Sequence, residues 1–188
     1  MFKQLFILIY RLVRFPKVVW PELGGEKENT EEFNAQIFYP LLGLITLTAF
    51  VGELVNSTDF SVQVPLKIAL ISCVSLFGGA HLAAYAIEWF MQKMRGSTQL
   101  HARSYLFVGY CYAPVIVVKS FMQLFPDFIF LKLIWLIVPY CVWYGIKSFY
   151  EIPDSRHLAF TIVLSVIAIM MPQVIDTMMF LLMPGLRM

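Results

Sequence analysis

Five long apolar runs alternate with short polar spacers along this chain, at residues 36–55, 66–92, 104–124, 128–149 and 158–183. A hydrocarbon core about 30 Å thick takes about 20 residues of helix, so each run predicts a membrane-spanning helix. The spacers carry turn chemistry. They are Asn56-Ser57-Thr58-Asp59, the stretch from Lys93 to Arg103 with Gly96-Ser97 inside it, Phe125-Pro126-Asp127, and Glu151 to His157. None leaves room for a soluble domain. The stretch from Pro21 to Ala35 is acidic and polar and is expected outside the membrane.

The first fifteen residues have a different pattern. At 100° per residue, Lys3, Tyr10, Arg11, Arg14 and Lys17 share one arc. Phe2, Leu5, Phe6, Leu8, Ile9, Leu12, Val13 and Phe15 occupy the remainder, and Ile7 alone intrudes on the polar stripe. Such a helix is expected to lie in the interface plane. A sixth, short crossing would put two arginines inside the bilayer at a cost of a few kcal/mol. The expected fold is therefore all-α: a cytoplasmic segment at residues 1–35 with an amphipathic interfacial helix, then a bundle of five transmembrane helices at residues 36–188.

Composition agrees with this class. The chain is 60% hydrophobic and 14% charged, against about 45–50% and about 25% in soluble domains. The net charge of +2 gives no reason to invoke nucleic acid. The placement of the cations says more. With five spans, one side holds Lys3, Arg11, Arg14, Lys17, Lys27, Lys93, Arg95, Arg103, Lys147 and Arg156. The other holds Lys67, Lys119, Lys132 and Arg187. Cytoplasmic loops carry the excess of Lys and Arg, so the N-terminus is expected in the cytoplasm and the C-terminus on the opposite side.

Ionisable groups inside apolar runs are costly and each needs a reason. Asp176 stands four residues after Pro172, with Gln173 between them. Pro172 deprives the carbonyl of residue 168 of its helical donor. A helix broken there can present backbone groups to an ion or polar substrate. Lys119 comes after Pro114 in the third run. An Asp176–Lys119 pair is expected in the outer half of the membrane, with Lys132 as the other candidate partner. The lysines could instead snorkel to the outer surface. His81 and Glu88, seven residues apart, share a face of the second run. They suggest either a proton path or, more simply, a Glu88 contact with Lys93 or Arg95 and one interhelical hydrogen bond from His81.

Gly78-Gly79-Ala80 and Ala83, Ala84 and Ala86 make a smooth surface for close helix packing. Cys73, Cys111 and Cys141 lie in apolar runs without CxxC spacing, so neither a disulfide nor a metal site is expected. There is no phosphate-binding glycine loop, no HExxH and no catalytic triad. No cofactor and no enzymatic activity are expected.

Phe15-Pro16-Lys17-Val18-Val19-Trp20-Pro21-Glu22 places a proline, a tryptophan and an acid before the first run. Tyr39-Pro40-Leu41 opens that run and Gly52 lies near its end. Gly109-Tyr110-Cys111-Tyr112-Ala113-Pro114 stands in the third run and Leu124-Phe125-Pro126 in the turn after it. Tyr140 with Tyr144-Gly145-Ile146-Lys147 lies at the end of the fourth. In this order the landmarks resemble the Yip1 family of multi-span membrane proteins. Its bacterial members show a similar proline, tryptophan and acidic segment before the first span, and the family a similar tyrosine–small–proline motif in the third span. The resemblance covers nearly the whole chain. It implies five spans with a cytoplasmic N-terminus and, from the compact form, a bacterial inner-membrane protein. Eukaryotic relatives act in Golgi and endoplasmic-reticulum trafficking through a long polar N-terminal region that meets Rab-type GTPases. With only a short segment here, that partner is not expected.

Two functions are expected from these features. The first is a non-enzymatic bundle that organises or shapes the membrane, or binds a membrane-protein partner or a second copy of itself. The alternative is a transporter or channel whose path runs by Pro114, Pro172, Gln173, Asp176 and His81.

Overall fold

The computed structural model describes residues 2–25, 29–57, 62–95, 101–125, 134–150 and 152–183, and among them there is no strand. The elements are α1 (Phe2–Arg14), α2 (Pro16–Gly25), α3 (Thr30–Phe33), α4 (Tyr39–Asn56), α5 (Gln63–Arg95), α6 (His101–Leu124), α7 (Ile137–Tyr150) and α8 (His157–Leu182). Among the described residues, four helices are long and apolar enough to cross a membrane: Thr30–Asn56, Gln63–Met94, His101–Leu124 and Asp154–Leu182.

The first of these starts earlier than its apolar run implies. The Asn29 side chain accepts a hydrogen bond from the Glu32 amide at 3.1 Å, and Glu31 and Glu32 occupy the first turn. An N-cap of this type and acidic residues at the positive end of the helix dipole both favour initiation there. Between α3 and α4 the helix widens into a π turn, Asn34–Phe38, just before Pro40. A proline removes one donor from the ladder, and a π turn absorbs the mismatch.

Of the expected fourth span, residues 128–149, only 134–149 fall among the described residues. Residues 126–133 lie outside the described residues. A short 3₁₀ turn at 134–136 leads into α7, which has 14 residues. At 1.5 Å per residue α7 is about 21 Å long, less than a hydrocarbon core.

Helix α6 is the axis of the bundle, buried at every position from Ser104 to Ile116. It packs against α4, α5 and α7, and α8 packs on α5 and α7. Close approach of α5 and α8 depends on Gly79, where a Cβ would lie 2.7 Å from the Pro172 Cα.

The N-terminal part also departs from expectation. Helix α1 stops at Arg14, and Pro16 opens α2 at a position that suits proline. Lys17 therefore sits on α2 and does not continue the basic stripe of α1. The apolar stripe Leu5, Ile9 and Leu12 belongs to the protein core instead of resting in lipid. Phe6, Ile7 and Tyr10 remain exposed beside Lys3, Arg11 and Arg14.

Candidate functional site

One group of polar contacts inside the bundle lies where α5, α6 and α8 come together. Pro172 has no N–H to offer the Ala168 carbonyl four residues earlier. The Tyr112 hydroxyl, from α6, which also carries an internal proline, donates to that carbonyl at 2.5 Å. Tyr112 is buried, and the segment containing Pro114 thus repairs the ladder broken by Pro172. One turn further along α8, Asp176 Oδ1 accepts a hydrogen bond from Ser75 Oγ of α5 at 3.0 Å.

Lys119 and Asp176 are near enough for their charges to attract. Among the described residues, however, no ion pair within hydrogen-bonding range joins them. Lys132 lies outside the described residues. Gln173 is exposed on the outer side of α8. Ser75, Tyr112, Lys119, Trp135 and Pro172 surround a cavity of about 10 Å³, room for about one water molecule. A space of that size offers no route to an ion, so the geometry lends the transport alternative no support.

A second polar tie lies among α4, α5 and α6. Thr48 Oγ1 lies 3.0 Å from Gln123 Oε1, and Gln123 Nε2 donates to Ser72 Oγ at 3.2 Å. Sequence reasoning passed over Gln123, because a lone glutamine near a helix end carries no pattern. Such interhelical bonds are worth about 0.6 kcal/mol each on average in membranes.

His81 and Glu88 go to separate neighbours. His81 Nδ1 is 2.9 Å from the Phe77 carbonyl of its own helix, and its ring packs on Tyr105 of α6. Glu88 Oε2 lies 2.9 Å from His101 Nδ1, at the first turn of α6. Gln92 Nε2 donates to the other carboxylate oxygen at 3.0 Å. The contact of Glu88 is thus with His101 rather than Lys93, which instead lies over the Trp89 ring. The Arg95 side chain is outside the described set. His101 was expected in a loop, and its register on α6 is what brings it to Glu88.

The N-terminal unit is locked to one end of the bundle. Trp20 is fully buried against Phe107 and Phe149. Its ring fills the place where a Cβ on Gly145 would stand 2.6 Å away. Arg103 Nη2 donates to the Gly24 carbonyl at 3.2 Å, and Tyr140 Oη donates to the Val13 carbonyl at 2.9 Å. Arg11 pairs with Glu22 at 3.1 Å across α1 and α2. Lys3, Arg11, Arg14 and Lys17 are all exposed on this unit. In the α7–α8 connection, the hydrogen bond and charge of Lys147 hold the exposed Asp154 carboxyl below the usual range for aspartate.

No group of three or more metal-ligating side chains occurs among the described residues. The described constellations are ties between helices, plus a basic surface on α1 and α2. The model of one protein family, described as the Yip1 domain, matches residues 10–175. No curated protein and no solved structure matches the chain.

Proposed function

The chain belongs to the Yip1 family, and from that premise we propose a non-enzymatic membrane protein that organises or shapes the bilayer or binds a membrane partner. In this reading there are five crossings, the fourth built from residues 128–149. Residues 1–35 lie on the cytoplasmic face, the C-terminus lies on the other side, and the membrane is a bacterial inner membrane. Asp176 and Lys119 act as a structural pair of opposite charges within the bundle.

The observation that carries the reading is the rigid mounting of a basic surface. Leu5, Ile9, Leu12 and Trp20 are buried while Lys3, Arg11, Arg14 and Lys17 stay exposed. Anionic leaflets attract such residues by about 1 kcal/mol each. Fixing them to a bundle transmits that attraction to the spans.

The test uses the full chain reconstituted in anionic vesicles. Arg11→Glu with Arg14→Glu should reduce vesicle reshaping and recovery of membrane partners from gentle detergent extracts. Unchanged vesicle shape together with an unchanged pull-down profile would count against the reading. Ion flux that Asp176→Asn abolishes would replace it with transport. Cysteine labelling should find the two ends on opposite sides of the membrane. Both ends on one side would remove the five-span topology.

A further inference from the structure

We propose that the cleft between α1 and the α3–α4 helix binds one anionic phospholipid from the adjoining leaflet. The cleft holds about 630 Å³, within the about 300–1,000 Å³ common for small-molecule sites. Leu5, Leu8 and Ile37 form an apolar wall, and Gln4, Arg11 and Gln36 form a polar rim. A second hollow of about 230 Å³ shares Leu8, Gln36 and Ile37 and continues inward to Phe33 and Leu106. An apolar trough under a polar rim matches an amphiphile, with its headgroup at the rim and a chain along the wall.

The charges select the headgroup. A guanidinium has five N–H donors in a fork that suits phosphate oxygens. Glu22 takes one of them from Arg11, in a pair whose side chains are about half exposed. Lys3 and Arg14 lie on the same side of α1 as Arg11. Glu32, the other carboxylate at the cleft, has its oxygens engaged by Asn29 Nδ2 and Gln36 Nε2. These amide donors are neutral and leave the Glu32 charge in place. Lys3, Arg11 and Arg14 against Glu22 and Glu32, three cations to two carboxylates, therefore give this side of the molecule a net charge of +1. Ile7, which also lines the cleft, is half exposed, as is Phe6 nearby. The apolar surface thus runs out of the cleft, as the tail of a lipid requires and a soluble anion does not.

This inference rests on the placement of α1 at the leaflet surface proposed above. Its test is native mass spectrometry of the full chain released from nanodiscs holding equal phosphatidylglycerol and phosphatidylcholine. One phosphatidylglycerol per chain should be retained, about tenfold over phosphatidylcholine. Arg11→Gln should lower that preference about fivefold. Ile37→Trp, which fills the trough without touching a charge, should abolish retention, and Lys17→Gln on α2 should leave it unchanged. Equal retention of both lipids by the wild type overturns the proposal, whatever the variants do. So does equal loss in Arg11→Gln and Lys17→Gln with Ile37→Trp unaffected, which means diffuse surface attraction. Displacement by excess inorganic phosphate assigns the rim to a soluble anion and also overturns it. Vesicle reshaping by wild type without retained lipid sinks this inference alone, whereas retained lipid without reshaping or partner recovery sinks only the functional reading.

Discussion

The hydroxyl of Tyr112 donates at 2.5 Å to the carbonyl of Ala168, the group that Pro172 leaves without its helical partner. In hydrocarbon an unsatisfied backbone group costs several kcal/mol. The proline in α8 is tolerated because a tyrosine two residues before the proline of α6 supplies the missing donor. Two prolines in different helices are thereby joined into one packing unit, which Gly79 of α5 completes from the other side.

Tyr112→Phe should destabilise the bundle by about 1 kcal/mol, and by less than about 2, which is below the cost of an orphaned carbonyl in hydrocarbon because the unfolded chain in the membrane also finds partners. In a Pro172→Ala background residue 172 regains its N–H and can serve Ala168 itself, so the same change should cost less there. A double-mutant cycle of unfolding in mixed micelles measures the difference. Equal costs in both backgrounds would mean that the hydroxyl does not act through the freed carbonyl.

Gly79→Ala should cost about 1–3 kcal/mol, because the new methyl meets backbone and ring atoms of Pro172 that cannot turn away. Gly43→Ala on α4 is the control, with open space around the added carbon. Thermal unfolding in detergent should separate the two clearly. Matching midpoints would show that α5 and α8 can part freely at this contact.

Asp176→Asn keeps an oxygen for Ser75 and should change stability by less than about 1 kcal/mol. Asp176→Leu removes the acceptor and leaves Lys119 without its nearby opposite charge, and should cost about 2 kcal/mol. Adding Lys119→Met should recover part of that loss. If Asp176→Leu unfolds at the same denaturant concentration as the wild type, the structural role assigned to Asp176 is wrong.

Trp20→Ala opens a cavity between α2, α6 and α7 and should cost about 3–5 kcal/mol if α2 stays docked. Undocking is the cheaper response, so residues 16–25 should become accessible to protease while the spans remain intact. Limited proteolysis in detergent reads this directly. A wild-type digestion pattern would show that Trp20 does not hold the N-terminal unit in place.

The amino-acid pattern alone reached the membrane class, the long helices at 36–55, 66–92, 104–124 and 158–183, and the backbone fault at Ala168. These come from local quantities: run length, hydropathy and the missing N–H of a proline. Tertiary packing decided the rest. Whether α1 turned Leu5, Ile9 and Leu12 to lipid or to protein depends on the surface offered by α6, which no periodicity reports. Ser75 reaches Asp176, and His101 reaches Glu88, through the rotation and offset of neighbouring helices. Tyr112 finds Ala168 in the same way, since an apolar run specifies that a helix is buried but not the angle at which it faces its neighbours.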